Sequence, residues 1–376
     1  MSLASAFGFG KKVRYAVIGA GDITQRSMLP GIRNTGNSRL VTVVTGDREK
    51  AAALAEMYGL ERTYAYDEYH ELLASGTIDA VYIGTPNWRH AEFAIPALAA
   101  GIHVLCEKPL EISTDQARAI LAAQQASSAK LMTAYRLHFE PGTLSAIDKV
   151  RDGKLGDLVT FTATFSQSLD PDNHRARHGI EAGPLFDMGP YPINAIRYLF
   201  GEEPVAVESA VATRQARAGF GDLDDSFAVV LRMPGDRLAS FTVSYYAGNV
   251  DHLTICGTKG SIHIDPAFGY GDTQYQTITT GTDKAEEKFR PTDQFGGEMK
   301  YFSDCILSGD DPEPDAEEGL ADLRVIEGIV EALRTGRRVE LPPFERRRRI
   351  NTATQKQTLS PVTPPETVKA KTPSGN

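Results

Sequence analysis

The stretch Arg14-Tyr15-Ala16-Val17-Ile18-Gly19-Ala20-Gly21-Asp22-Ile23-Thr24 decides the architecture of this 376-residue chain. Its first five residues, mostly apolar, read as a short buried strand. Two glycines one residue apart follow directly, where a backbone must turn tightly and let another group come close. A strand running through such a turn into a helix presents free N–H groups to an anion, and a pyrophosphate suits that geometry. Gly19 and Gly21, with neighbouring Asp22 and Ile23, are therefore candidate dinucleotide contacts. Thr24 stands where a third glycine or alanine is expected, and Asp22 brings a negative charge to the loop.

The same grammar repeats outward. Residues 40–44, 80–83, 103–106 and 130–134 are short apolar runs, separated by helical patterns at 48–58, 90–100 and 115–127. Asp47 is placed to cap the first of these helices and Ser113 or Thr114 the last, while Gly59 and Gly101 end the first two. Strand–helix alternation at this spacing predicts a parallel, doubly wound α/β sheet over residues 1–135, a dinucleotide-binding Rossmann domain. Beyond residue 136 the pattern changes. A helix at 144–151, a strand at 158–165 and a helix at 187–200 precede five strand-like runs, at 205–213, 226–233, 238–246, 253–264 and 274–280. In Ser240-Phe241-Thr242-Val243-Ser244-Tyr245 apolar residues alternate with small hydroxyl residues, the pattern of a mainly antiparallel sheet buried on one face. Helices at 293–307 and 316–335 complete an α+β domain over 136–341. Residues 342–376 hold six prolines and little periodicity, and read as an extended tail.

The net charge of −9 hides an asymmetry. The tail carries seven basic residues against two acidic ones, a local +5, so the body stands at −14. A body that acidic excludes a nucleic-acid coat, which needs clustered cations. The tail, with Arg346, Arg347, Arg348 and Arg349, is expected to lie across the acidic body or a neighbouring subunit. Cys106, Cys256 and Cys305 are too few and scattered for a disulfide framework or thiolate metal site. His174, His178, His252 and His263 fit no metal spacing, so no metal is expected. Without a long apolar run or a signal-like start, the chain reads as soluble and cytoplasmic, a trimmed leader aside.

The end of the second strand bears on the choice between NAD and NADP. A carboxylate there binds a ribose 2′-hydroxyl, and its absence beside basic residues accommodates a 2′-phosphate. The strand ends Val44-Thr45-Gly46-Asp47-Arg48-Glu49-Lys50. Thr45 is uncharged, Asp47 is a natural helix cap, and Arg48 and Lys50 are within reach of a phosphate. This favours NADP, with NAD as the alternative.

Three further signatures follow: Gly84-Thr85-Pro86-Asn87-Trp88-Arg89-His90, Cys106-Glu107-Lys108-Pro109, and Gly183-Pro184-Leu185-Phe186-Asp187-Met188-Gly189-Pro190-Tyr191. With the glycine loop, and in this order, they resemble the Gfo/Idh/MocA family of pyridine-nucleotide oxidoreductases. Tyr191 stands where many members have histidine, which resembles the branch of glucose–fructose oxidoreductase, dimeric dihydrodiol dehydrogenases and xylose dehydrogenases. Residues 135–141 and 264–270 point the same way, whereas Glu181-Ala182-Gly183 and the loop before it depart from the pattern.

The resemblance implies hydride transfer between NADP and a sugar or related polyol or carbonyl compound. It implies Tyr191 as acid/base, Lys108 as its electrostatic partner and Asp187 as substrate orienter. A nearby ammonium favours a phenolate, whose unperturbed pKa is near 10. Asp187 and Tyr191, four residues apart, are expected on one helix face. Thr45, Gly46, Arg48, Lys50, Thr85, Pro86, Asn87, His90, Glu107, Lys108 and Arg136 are implied cofactor contacts. Lys108, Arg136, His138, Arg175, Asp187 and Tyr191 are implied substrate contacts. The family often holds the bond before Pro109 cis, and its members pair as dimers or tetramers through the open second sheet. A ligand sensor without turnover, or a redox-neutral glycosidase or hydro-lyase, are the alternatives.

Overall fold

The computed structural model describes residues 10–215, 220–346 and 348–374. Arg347 of the basic run lies outside them. Strands β1 (Val13–Ile18), β2 (Ser38–Val44), β3 (Ala80–Ile83), β4 (His103–Glu107) and β5 (Leu131–Ala134) form a parallel sheet in the order β2-β1-β3-β4-β5. These strands are apolar along nearly their whole length because helices cover both faces. The helices are α1 (Leu29–Asn34), α2 (Arg48–Tyr58), α3 (Tyr69–Ala74), α4 (His90–Ala99) and α5 (Thr114–Gln125). Asp47 and Ser113 cap α2 and α5 by accepting the N–H groups of Lys50 and Gln116, and Gly59 at φ 65° ends α2.

Helices α6 (Pro141–Arg151), α7 (Pro184–Asp187) and α8 (Pro190–Phe200) lead into and flank the second sheet. Its nine strands are β6 (Leu158–Ser166), β7 (Ala206–Thr213), β8 (Ser226–Met233), β9 (Arg237–Ser244), β10 (Val250–Gly257), β11 (Gly260–Asp265), β12 (Gln274–Thr280), β13 (Asp283–Phe289) and β14 (Val339–Glu340). They run in the order β13-β12-β11-β10-β6-β9-β8-β7-β14, antiparallel throughout except for the parallel pair β6–β9.

Helix α3 and strand β14 have no counterpart in the sequence expectation, and three further differences concern the second layer. The single run expected at 253–264 is a hairpin: Leu253 and Ile255 bury from one strand and Ile262 and Ile264 from the other, and the buried positions change from odd to even across Gly257-Thr258-Lys259-Gly260. The charged segment Asp283–Phe289 is an edge strand, its charges facing water where another chain would otherwise pair. The helix expected at 187–200 is broken into α7 and α8 at Met188-Gly189, with Pro190 opening the second. A Cβ on Gly189 would meet the Leu185 carbonyl oxygen at 2.2 Å, so the break requires glycine. Asp187 and Tyr191 therefore do not share one helix.

Two late helices, α9 (Gln294–Ser308) and α10 (Ala316–Thr335), bind the layers together. Phe295, Met299 and Phe302 of α9 complete the core under the first sheet, and Tyr15 shares a 2.8 Å hydrogen bond with Ser303. The division at residue 135 thus separates the strands but not the helical cover. Helix α10 touches both layers: Gly319 lies against Leu110, and Gly328 against Leu341 and Val207.

Beneath α10, Arg197 is fully buried and pairs with Glu203 at 2.6 Å, Glu318 at 2.7 Å and Asp322 at 2.6 Å. Burial, aided by the neighbouring Glu318 charge and opposed by Arg197, pushes the Asp322 carboxyl up to about 7. From the tail, the buried guanidinium of Arg346 adds pairs to Glu318 and Asp315, each at 2.8 Å. Removing one cation from such a set leaves buried carboxylates uncompensated. Arg197→Met should lower folding stability by about 3–5 kcal/mol, read as a fall in the urea midpoint. A loss below about 1 kcal/mol, the range of surface pairs, would contradict this account.

Candidate active site

The carboxyl ends of β1, β3 and β4 open onto a cleft of about 1190 Å³, walled on its other side by residues of the second layer. At its floor Gly19 turns at φ +88°, and a Cβ there would meet the Gly84 carbonyl oxygen at 2.7 Å. The ends of β1 and β3 approach so closely that only glycine fits. Thr24 takes the position of a third glycine without a clash because Gly84 yields the space: a Cβ on Gly84 would lie 2.7 Å from Thr24 Oγ1. Asp22 is answered by Arg26 Nε at 3.0 Å, one helical turn on. The loop therefore keeps its shape despite both departures. It fits a dinucleotide: Gly21 has nothing within 4 Å of a Cβ position, and Thr85 Oγ1 is buried at the wall with no hydrogen-bond partner among the described residues.

Lys108 reaches the cleft from the end of β4, just before a cis Lys108–Pro109 bond. Its Nζ donates to the Asp187 carbonyl oxygen at 2.7 Å and to Asp187 Oδ1 at 3.3 Å, which leaves the third of its donors for a ligand. The same ammonium lies 4.6 Å from the Tyr191 ring centroid. Burial opposes the Lys108 charge, but Tyr191, Asp187 and Glu107 outweigh it and raise its pKa.

Arg136 Nη2 donates to Tyr191 Oη at 3.2 Å, and Phe165 holds the tyrosine ring edge-on at 5.4 Å. On the far side of Asp187, Arg175 Nε lies 3.1 Å from Oδ2 and Tyr245 Oη donates to the same oxygen at 2.6 Å. Burial alone would raise the Asp187 pKa. The charges of Arg175 and Lys108, with the Tyr245 hydrogen bond, hold it well below the usual carboxylate range. Asp187 and Tyr191 thus sit among three cations, Lys108, Arg136 and Arg175, with the glycine loop at the other end of the same cleft.

Family models match both parts of the chain: an oxidoreductase family with NAD-binding Rossmann fold over residues 13–135, and the GFO/IDH/MocA C-terminal domain over 143–263. The chain belongs to the Gfo/Idh/MocA oxidoreductases. A D-xylose 1-dehydrogenase [NADP(+)] of Haloarcula marismortui is 34% identical over 338 residues, 88% of this chain and 93% of the relative. The aldose-aldose oxidoreductase of Caulobacter crescentus, solved with glycerol, superposes with a TM-score of 0.83 at 35% identity, covering 88% of this chain and 100% of that one. A 3-ketoreductase of Actinomadura kijaniata in complex with NADP and TDP-benzene gives 0.78 at 26% identity, covering 87% and 98%.

Within this oxidoreductase, most residues singled out from the sequence meet in the cleft. Gly19, Gly21, Asp22 and Ile23 line one end, with Thr45 and Lys50 beside them. Thr85, Pro86 and Asn87 form a side wall, and Glu107, Lys108, Arg136, Arg175, Asp187 and Tyr191 the other end. Asn87 also donates to the Glu181 carbonyl oxygen at 3.0 Å, joining the two layers across the cleft.

Four residues do not reach it. Arg48 points to solvent from the first turn of α2. Gly46 packs on the Tyr66 ring, and it is Tyr66 that lines the cleft. His90 is fully buried behind the wall, its ring nitrogens facing the carbonyls of Pro109 at 2.9 Å and Thr85 at 3.1 Å, and burial pushes its pKa down to about 4. It braces the loops that carry Thr85 and Lys108. His138, expected at the substrate, is buried between Asn194 Oδ1 at 2.7 Å and Glu313 Oε2 at 3.3 Å.

Tyr245 is the residue that sequence reasoning missed. The alternation of β9, continued one residue past its end, puts its ring on the buried face, and the sign that it does more is a hydroxyl at a position otherwise held by Phe241 and Val243. Residues 369–373 of the tail also line the cleft. Among the described residues no cluster of His, Cys, Asp or Glu is arranged to hold a metal, and no helix is long and apolar enough to cross a membrane.

The Asp187 arrangement carries a pH signature. Its folded-state pKa lies below the unfolded value of about 3.9. The pairing therefore stabilises the protein above that pH and is lost as the pH falls through the lower folded-state value. Asp187→Asn should melt below the wild type at neutral pH, with the gap narrowing in acid. A gap that stays constant down to about pH 3 would count against the assignment.

Proposed function

We propose that this oxidoreductase transfers hydride between NADP and a sugar or closely related polyol, with Tyr191 handling the proton. The observation that carries the reading is the convergence of Lys108, Arg136 and Tyr191 at the end of a cleft whose other end is a pyrophosphate loop. Bound NADP supplies a hydride acceptor or donor; the chain supplies the rest. In the oxidising direction Tyr191 Oη takes the hydroxyl proton of the substrate, and in reduction it returns one to the carbonyl oxygen. Charge on the phenol oxygen is met by Arg136 at 3.2 Å and by the ammonium over the ring. Lys108 offers its remaining donor to the substrate oxygen, which orients the reacting carbon and polarises a carbonyl. Asp187 accepts the other hydroxyls of a polyol while its cations keep it ionised. The uncharged Thr45, with Lys50 in the cleft, supports NADP over NAD. A proton donor held between two cations suits turnover rather than ligand sensing, and the likeness to NADP-dependent xylose dehydrogenases favours net redox over a redox-neutral cycle.

A panel of aldoses with NADP, followed by nicotinamide absorbance, tests the reaction. Tyr191→Phe should lower turnover by about 10²–10⁴-fold, the usual worth of a positioned acid/base, while NADPH affinity stays close to that of the wild type. Turnover unchanged in the variant would refute the proton-transfer role.

The protein is also read as a homo-oligomer, a dimer or tetramer. The outer face of the nine-stranded sheet is uncovered, and Val211, Leu238 and Tyr275 stand exposed on it by 61%, 41% and 46%. An open face with large apolar side chains is a surface for self-association. Sedimentation should give a mass at a multiple of 40.9 kDa, and a monomer at micromolar concentration would overturn this reading.

A further inference from the structure

The chemistry above leaves the basic tail unused, yet its last residues return to the cleft. Val368 is held on both sides by Gln25, buried just after the glycine loop. The Val368 N–H donates to Gln25 Oε1 at 2.7 Å, and Gln25 Nε2 donates to the Val368 carbonyl oxygen at 3.0 Å. The Val368 side chain packs on the core of the first layer. Lys369 Nζ then pairs with Asp47 at 3.2 Å and Glu49 at 2.5 Å, and the Asp170 N–H donates to the Pro373 carbonyl oxygen at 2.8 Å. Residues 369–373 thereby strap the nucleotide end of the cleft from one layer to the other.

Charge gives the strap a chemical role. Asp47 and Glu49 directly follow the tip of β2, where the ribose 2′ group of a dinucleotide is recognised. Two carboxylates there repel a 2′-phosphate, and Lys50 beside them offsets that repulsion only in part. Arg48 points away from the cleft, and Lys50 Nζ donates to the Ala20 carbonyl oxygen at 3.2 Å. Lys369 is the cation that covers both carboxylates. Lys371, two residues on, lines the same cleft and has no carboxylate partner among the described residues. Lys369 also sits at φ +47°, a conformation unfavourable for a residue with a side chain.

We infer that the C-terminal strap is part of the nucleotide site, with Lys369 and Lys371 setting the preference for a 2′-phosphate. The inference rests on the NADP reading and adds to it residues from outside the Rossmann strands and helices. The test uses the full-length enzyme carrying Lys369→Ala and Lys371→Ala, titrated with NADPH and with NADH by nicotinamide fluorescence.

The NADPH Kd should rise about tenfold or more, as expected for losing charge-assisted contacts, and the NADH Kd should stay within about twofold. Displacement by 2′,5′-ADP should weaken in parallel while displacement by 5′-AMP does not, and Lys369→Arg should retain the wild-type preference. Equal losses for both nucleotides, as a merely structural strap would produce, overturn the inference, and so does an unchanged NADPH Kd. A wild-type enzyme that binds both nucleotides equally overturns the NADP reading itself, whereas a wild-type preference that the double variant keeps overturns the strap alone.

Discussion

An ionised carboxylate at the seam of two layers has to be surrounded by cations and donors, or burial neutralises it. Asp187 meets that requirement only because three separate parts of the chain come to it. Lys108 arrives from the end of a parallel strand, Arg175 from the loop before α7, and Tyr245 from just beyond β9. The pairing aligns the layers, since a shift of either sheet would strand a charge. It also places the remaining Lys108 donor and the Tyr191 phenol at one end of the cleft. The proposed chemistry and the layer alignment thus draw on the same few atoms.

A second buried ionic set repeats the logic further from the cleft. Arg197 and Arg346 share the carboxylates of α10 and its approach, so the helix that touches both sheets is tied to α8 and to the base of the tail. This gives the strongly basic run a structural purpose, consistent with an acidic body. Arg348 extends it to Asp311 at 3.2 Å and Arg349 to Glu203 at 2.9 Å. With its base anchored there, the tail is free to return over the nucleotide end of the cleft.

Much of the fold was legible because it rests on local rules. Periodicity, glycine stops and the caps Asp47 and Ser113 depend on residues within one turn, and those assignments match the structure. The errors lie where tertiary contacts outweigh local pattern. The hairpin turn at Thr258-Lys259 joins two apolar strands that face the same core, the charged edge strand β13 is stabilised by its neighbour, and α7 parts from α8 at Met188-Gly189. The site follows the same division. Gly19, Thr85 and Lys108, in tight loops marked by motifs, line the cleft. His90 and His138 have the right chemistry, but the packing turns both into buried braces.

By itself, the sequence determined that a parallel nucleotide-binding sheet precedes a one-faced antiparallel one, and that a lysine, an aspartate and a tyrosine stand in the register of an oxidoreductase family. Those features are encoded in spacing, which survives without coordinates. Only the tertiary structure decided that Thr24 fits because Gly84 lacks a side chain, that Tyr245 completes the Asp187 shell, and that a tail more than three hundred residues from β2 closes over its tip. Each depends on atoms distant in the chain meeting within a few ångströms, and no local pattern specifies such a meeting.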